Sequence, residues 1–148
     1  MDKTDREILN IIQTEFPIEK EPFDFLGRVV GISEDEALDR VKKLRERGII
    51  RRIGAVFDTK KMGFASTLCA AKVPDEKVKE FVDTVNTYSG VTHNYRRSHE
   101  YNIWFTFIAP SSEDIERSLD EISKKTGVDD ILNMPVRRKF KIDASFDL

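Results

Sequence analysis

Strand and helix patterns alternate along residues 64–142 in one order: strand, helix, strand, strand, helix, strand. Phe64 to Val73 is an apolar run rich in β-branched and small residues, and Pro74-Asp75 ends it. Val78, Phe81, Val82 and Val85 recur at helical spacing, and that helix runs out near Tyr88-Ser89-Gly90. Two strands follow, Val91 to Arg97 and Tyr101 to Ala109. Pro110-Ser111-Ser112-Glu113-Asp114 opens a second helix with Ile115, Leu119 and Ile122 inward, and Gly127 stops it. A last strand lies within Ile131 to Ile142, interrupted near Pro135. This order builds one sheet from split βαβ units, with both helices on the same face. The other face then needs a cover, a partner or a ligand, so a dimer is the physical expectation.

The first sixty residues read differently. Thr4-Asp5-Arg6-Glu7 has the form of a capping box, followed by an apolar stripe of Ile8, Leu9, Ile11 and Ile12 on a helix that ends before Pro17. A short helix is expected from Phe23 to Val30, stopping at Gly31. Ser33-Glu34-Asp35-Glu36 is a second capping box, and the helix it opens carries Ala37, Val41 and Leu44 inward and ends at Gly48. Ile49 to Phe57 then looks extended. Three short helices and a strand describe a winged helix-turn-helix, so the boundaries are 1–61 for this domain and 62–148 for the sheet domain.

Such a motif usually suggests DNA, read by the N-terminal residues of the last helix. Here those residues are Glu34, Asp35, Glu36 and Asp39, which would oppose a phosphate backbone. The net charge of -2 supplies no general attraction to nucleic acid either. Basic residues cluster later, at Arg40, Lys42, Lys43, Arg45, Arg47, Arg51 and Arg52, where a solvated face explains most of them. DNA is therefore not the expected partner, and Arg51 and Arg52 are candidates for an anionic ligand. The single Cys69 sits in an apolar run and excludes an internal disulfide framework or a multi-cysteine metal site. No apolar run approaches the roughly 20 residues of a membrane span, and Met1 to Arg6 lacks signal-peptide character. The expected location is the cytoplasm.

The chemistry gathers in Val91-Thr92-His93-Asn94-Tyr95-Arg96-Arg97-Ser98-His99-Glu100-Tyr101-Asn102-Ile103-Trp104-Phe105. It holds both histidines of the chain and its one tryptophan. Singly, each residue has a plainer reading: a structural histidine, a packed tryptophan, solvated arginines. Together, imidazole can ligate iron or move a proton, arginine can grip carboxylates, and tryptophan and tyrosine offer flat surfaces. The set suits a planar, polyanionic, iron-containing ligand. Register depends on the loop. A two-residue loop at Ser98-His99 pairs Tyr95 with Asn102 and His93 with Trp104. A three-residue loop sets Tyr95 opposite Tyr101 and His93 beside Ile103. In both, His93, Tyr95 and Arg97 share a face and His99 sits at the tip. No zinc-type ligand spacing, phosphate-cradling glycine loop or nucleophile motif is present.

A winged helix-turn-helix followed by a ferredoxin-like βαββαβ domain resembles the Lrp/AsnC group, α+β proteins whose second domain binds small ligands and forms dimers. Three segments look like one branch of it, the siroheme decarboxylase subunits of the alternative haem and haem d1 pathways: Gly48 to Asp58, Gly63 to Cys69, and Val91 to Phe105. Regulators of the group usually carry a Gly-x-Tyr-Asp turn in the hairpin, where this chain has Arg97-Ser98-His99-Glu100-Tyr101-Asn102.

That resemblance implies non-oxidative loss of two acetate carboxyls from siroheme, giving 12,18-didecarboxysiroheme. It implies a paralogous second subunit in a heterodimer or higher assembly, and no cofactor beyond the iron-containing substrate. His93 would be an axial iron ligand or the proton donor, with His99 as second candidate acid. Arg51, Arg52, Arg96 and Arg97 would hold carboxylates, Tyr95 and Trp104 would line the ring, Asn102 would orient an acid group, and Tyr101 would also bind the substrate. The alternative is a transcriptional regulator that senses a haem-like ligand or an amino acid.

Overall fold

The computed structural model describes residues 1–141 and 146–148, in two compact units. The first comprises Met1–Ala55 with Lys141–Leu148, the second Val56–Phe140. In the first unit the Phe146 amide donates to Gln13 Oε1 at 2.9 Å and Gln13 Nε2 donates back to Phe146 O at 2.7 Å.

The first unit holds three helices: α1 (Lys3–Thr14), α2 (Pro22–Val30) and α3 (Glu34–Glu46). The capping box of α1 lies two residues earlier than expected. The Asp2 carboxylate accepts from the Asp5 amide at 2.9 Å, and the Asp5 carboxylate accepts from the Asp2 amide at 3.1 Å. Arg40 of α3 explains the choice, because its guanidinium grips both carboxylates, at 2.8 and 2.9 Å. Pro22 starts α2, and Gly31 ends it at φ 78, a conformation that glycine adopts without strain. Ser33 caps α3 through the Glu36 amide. Ile8, Leu9, Val41, Leu44 and Ile50 form the core between these helices.

The expected strand over Ile49–Phe57 is absent among the described residues. The Ile49 and Ile50 amides turn back onto Leu44 O at 3.0 and 3.2 Å, and the residues after them are exposed. A strand needs a neighbour for its backbone groups, and none is offered there.

The second unit runs β1 (Ala65–Ala71), a short 3-10 turn (Asp75–Lys77), α4 (Val78–Asn86), β2 (Val91–Arg96), β3 (Ile103–Ala109), α5 (Ser112–Thr126) and β4 (Ile131–Pro135). The βαββαβ expectation is met, with sheet order β2-β3-β1-β4 and all neighbours antiparallel. The last strand stops at Pro135, and Ile142, its expected limit, lies outside the described residues. Along β3, buried and half-buried residues alternate strictly, so Ile103, Phe105, Phe107 and Ala109 face the helices. They pack with Cys69 and Ala71 of β1, Phe81 and Val85 of α4, and Ile115, Leu119 and Ile122 of α5. Gly90 lets β2 begin close against β3: a Cβ there would overlap Ile108 O, and the Ile108 amide donates to Gly90 O at 2.9 Å.

Candidate functional site

The face of the sheet away from the helices carries the hairpin chemistry. Arg96 pairs with Ile103, Tyr95 with Trp104, Asn94 with Phe105 and His93 with Thr106. Neither expected register occurs. The connection is longer, Arg97 to Asn102, and is closed by the Arg97 amide donating to Asn102 O at 2.8 Å. Side chains hold it open. Asn102 brackets the end of β1, its Oδ1 accepting from the Val73 amide at 2.9 Å and its Nδ2 donating to Val73 O at 2.7 Å. Trp104 Nε1 donates to Tyr101 O at 2.7 Å.

Paired residues of a sheet share a face. Phe105 and Ile103 face the helices, so Asn94 and Arg96 do too, while His93 and Tyr95 stand on the open side with Thr106 and Trp104. The floor continues through Leu68 and Ala70 of β1 to Met134 and Leu132 of β4. Leu68 and Leu132 are 37% and 40% exposed, a large apolar surface for the middle of a sheet. Arg97 belongs to this side, its guanidinium lying over the Trp104 ring. The expectation that His93, Tyr95 and Arg97 share a face thus matches the geometry, although the register behind it differs.

His93 is the best defined of these groups. Its Nδ1 lies 3.1 Å from Thr92 Oγ1 and 3.3 Å from Thr106 Oγ1, and the two hydroxyls are 2.7 Å apart. Its ring stacks on Tyr95 with centroids 6.0 Å apart. Among the described residues Nε2 has no hydrogen-bond partner, which leaves it for a ligand iron or a proton transfer.

The remaining candidates lie elsewhere. Arg96 points to the helix side and pairs with Asp75 at 2.7 Å. His99 sits in the connection, stacked on Tyr101, and its Nδ1 accepts from the Tyr101 amide at 3.1 Å. A backbone amide only donates, so the neutral His99 ring carries its proton on Nε2. The Tyr101 hydroxyl donates to Asp130 at 2.9 Å, and that bond raises the phenol above its ordinary value. His99, Glu100 and Asn102 line an open groove of about 590 Å³ with Lys72, Val73, Pro74 and Asp75, in which Lys72 pairs with Glu100. Arg51 and Arg52 belong to the first unit and are exposed.

The structure therefore brings together His93, Tyr95, Arg97 and Trp104, sets His99, Tyr101 and Asn102 in the connection, and turns Arg96 away. Thr92 and Thr106 were not legible as site residues. Strict alternation puts Thr92 on the face opposite His93, and only a bulge brings it round: Val91 pairs with Phe107 and His93 with Thr106, so Thr92 is the extra residue. Among the described residues no group of three or more His, Cys, Asp or Glu could hold a metal ion.

Comparison with known proteins adds to this geometry. Residues 61–141 match the family described as the AsnC-like ligand binding domain, and residues 5–51 match the siroheme decarboxylase NirDL-like HTH domain. The siroheme decarboxylase alpha subunit of Oleidesulfovibrio alaskensis is 54% identical over 148 residues, covering 100% of this chain and 90% of that one. The crystal structure of the siroheme decarboxylase NirDL in co-complex with an iron-uroporphyrin III analogue aligns with a TM-score of 0.69 at 38% identity, over 89% of this chain. This chain spans 44% of that longer one. An AsnC family transcriptional regulator from Agrobacterium tumefaciens aligns with a TM-score of 0.79 at 23% identity, a likeness of fold.

Proposed function

The chain belongs to the siroheme decarboxylase family, and we propose that it is one subunit of a carboxy-lyase that converts siroheme to 12,18-didecarboxysiroheme. The observation that carries the proposal is the open sheet face. An apolar floor of Leu68, Leu132 and Met134 adjoins a rim of imidazole, phenol, indole and guanidinium. A flat macrocycle with carboxylate arms is complementary to both parts.

Each turnover at an acetate arm breaks the bond between the methylene carbon and its carboxylate and releases carbon dioxide. The electron pair stays on the methylene carbon, conjugated with the substrate's own ring, and a proton then makes it a methyl group. Charge and atoms balance without an oxidant. The substrate supplies the electron sink, so the protein supplies position, charge and an acid. His93, through Nε2, is the proposed iron ligand or acid, and His99, as its imidazolium, the second acid. Arg97 holds a carboxylate that the product retains, because a guanidinium on the departing carboxylate would stabilise the reactant. Arg51 and Arg52 are proposed to hold further arms. Arg96 and Asn102, both occupied by protein partners, support the hairpin and contact the substrate least.

The same apolar floor supports a paralogous second subunit as its cover. A regulator's role is disfavoured by the acidic first turn of α3 and by Arg40, whose guanidinium is occupied by Asp2, Asp5 and Glu36. The proposed compartment is the cytoplasm; among the described residues no helix is long and apolar enough to cross a membrane.

The test is mass loss from siroheme added to the co-expressed pair. The expected result is two losses of carbon dioxide, slowed when His93→Ala and His99→Ala are placed in this chain. Two losses at the normal rate in both variants would remove this hairpin from the chemistry. Tight sequence-specific band shifts of its own promoter at low salt would favour the regulator.

A further inference from the structure

We infer that Thr92 and Thr106 are positioning residues for His93, acting as a reversible hydroxyl anchor on Nδ1; the inference deepens the proposed function and rests on His93 being a working imidazole. Three features of the hairpin carry it. The bulge places consecutive residues, Thr92 and His93, beside the same cross-strand partner, Thr106. The two hydroxyls and Nδ1 form a closed triangle of 2.7, 3.1 and 3.3 Å. Threonine is stiff at its first side-chain torsion, so the backbone sets where each hydroxyl stands.

The type of anchor matters as much as its place. A carboxylate or a backbone carbonyl only accepts, and would demand a proton on Nδ1. A hydroxyl both donates and accepts. With Thr106 donating to Thr92 and Thr92 donating to Nδ1, the neutral ring carries its proton on Nε2 and can donate a hydrogen bond there. With Nδ1 donating to one hydroxyl, Nε2 carries the second proton of the imidazolium, the acid, and presents a lone pair once that proton has been delivered. Delivery and recovery of the Nε2 proton leave the Nδ1 bond and the ring in place. The pair therefore holds the imidazole still and leaves both forms of Nε2 accessible, as a group that delivers a proton and must recover it requires.

The test uses the full chain with its co-expressed partner. Thr92→Val, Thr106→Val and the double variant keep shape and strand propensity and remove the hydroxyls. Nitrogen-15 spectra of the two histidines are recorded without substrate, and siroheme turnover is measured beside them. The expected result is a changed Nδ1 shift and tautomer ratio for His93 with His99 unmoved. kcat should fall about tenfold or more in the double variant, the scale of losses when an orienting partner is removed, with KM within about twofold. Thr106→Ser should restore both readings. Unchanged His93 spectra in the double variant overturn the inference, as does a rise in KM at constant kcat. If His93→Ala itself leaves turnover intact, the role given to His93 falls and the positioning role for catalysis falls with it. The spectra then still report separately whether the hydroxyls hold the ring. Should the double variant fail to fold, Thr92→Val and Thr106→Ser carry the same comparison.

Discussion

The Arg97 guanidinium lies over the Trp104 ring, 5.3 Å from its centroid, at the rim of the open sheet face. The indole is itself fixed, because Nε1 donates to Tyr101 O. A cation held on an anchored ring keeps its direction and most of its donors free.

Arg97→Ala should therefore weaken binding of an iron porphyrin with carboxylate arms by roughly tenfold, the worth of one charge-assisted pair. Arg97→Lys keeps the charge and loses the planar stack, so its loss should be smaller, about threefold. Trp104 is the chain's one tryptophan, so quenching of its emission gives both dissociation constants directly.

Asn102 ties the hairpin to β1 through two bonds to Val73, in partly buried surroundings. Asn102→Ala strands one backbone donor and one acceptor and should cost about 1–3 kcal/mol. A urea titration checks this. Hydrogen exchange should accelerate first at Val73 and Arg97, whose amides depend on this corner of the fold.

Cys69 is fully buried, and burial pushes its thiol up to about 12. Its reaction with an alkylating reagent near neutral pH should be blocked in the native protein and should follow the unfolding curve. Fast modification without denaturant would contradict the packing of β1 against the helices.

Arg40 joins α3 to the start of α1 through Asp2 and Asp5, and Asp5 is buried. Arg40→Met leaves that carboxylate without its cation and should destabilise the first unit by about 1–3 kcal/mol. The Arg40 hydrogen bond, then the Asp5 amide, holds the Asp2 carboxyl below its ordinary value. A lowered folded value stabilises above the ordinary aspartate range and is lost as pH falls through it. Between about pH 7 and about pH 3, wild type should therefore lose more of its urea midpoint than Arg40→Met.

Much of the fold was legible because its signals are local. Gly31 and Gly127 end helices, and Ile115, Leu119 and Ile122 mark a buried stripe whatever surrounds them. Long-range features were harder to read. The capping box of α1 moved to Asp2 because of Arg40, far along the chain. The expected strand after Gly48 depended on a neighbour that is not there. In the site, the shared face of His93, Tyr95 and Arg97 followed from alternation alone. The register did not, because Asn102 and Trp104 spend their polar groups on Val73 and Tyr101 and lengthen the connection. The same alternation turns Arg96 to the helix side, but its partner there, Asp75, is a contact distant in sequence.

The bulge at Thr92 has a consequence for how such a chain can change. Val91 faces the helices and His93 faces outward on either side of the extra residue. Deleting Thr92 would restore an unbroken ladder with every neighbour still on its own side. Loss or gain of one codon could thus remove or install a hydroxyl beside the imidazole without disturbing the sheet. Two descendants of one duplicated gene could part ways in chemistry by a difference of one residue in length.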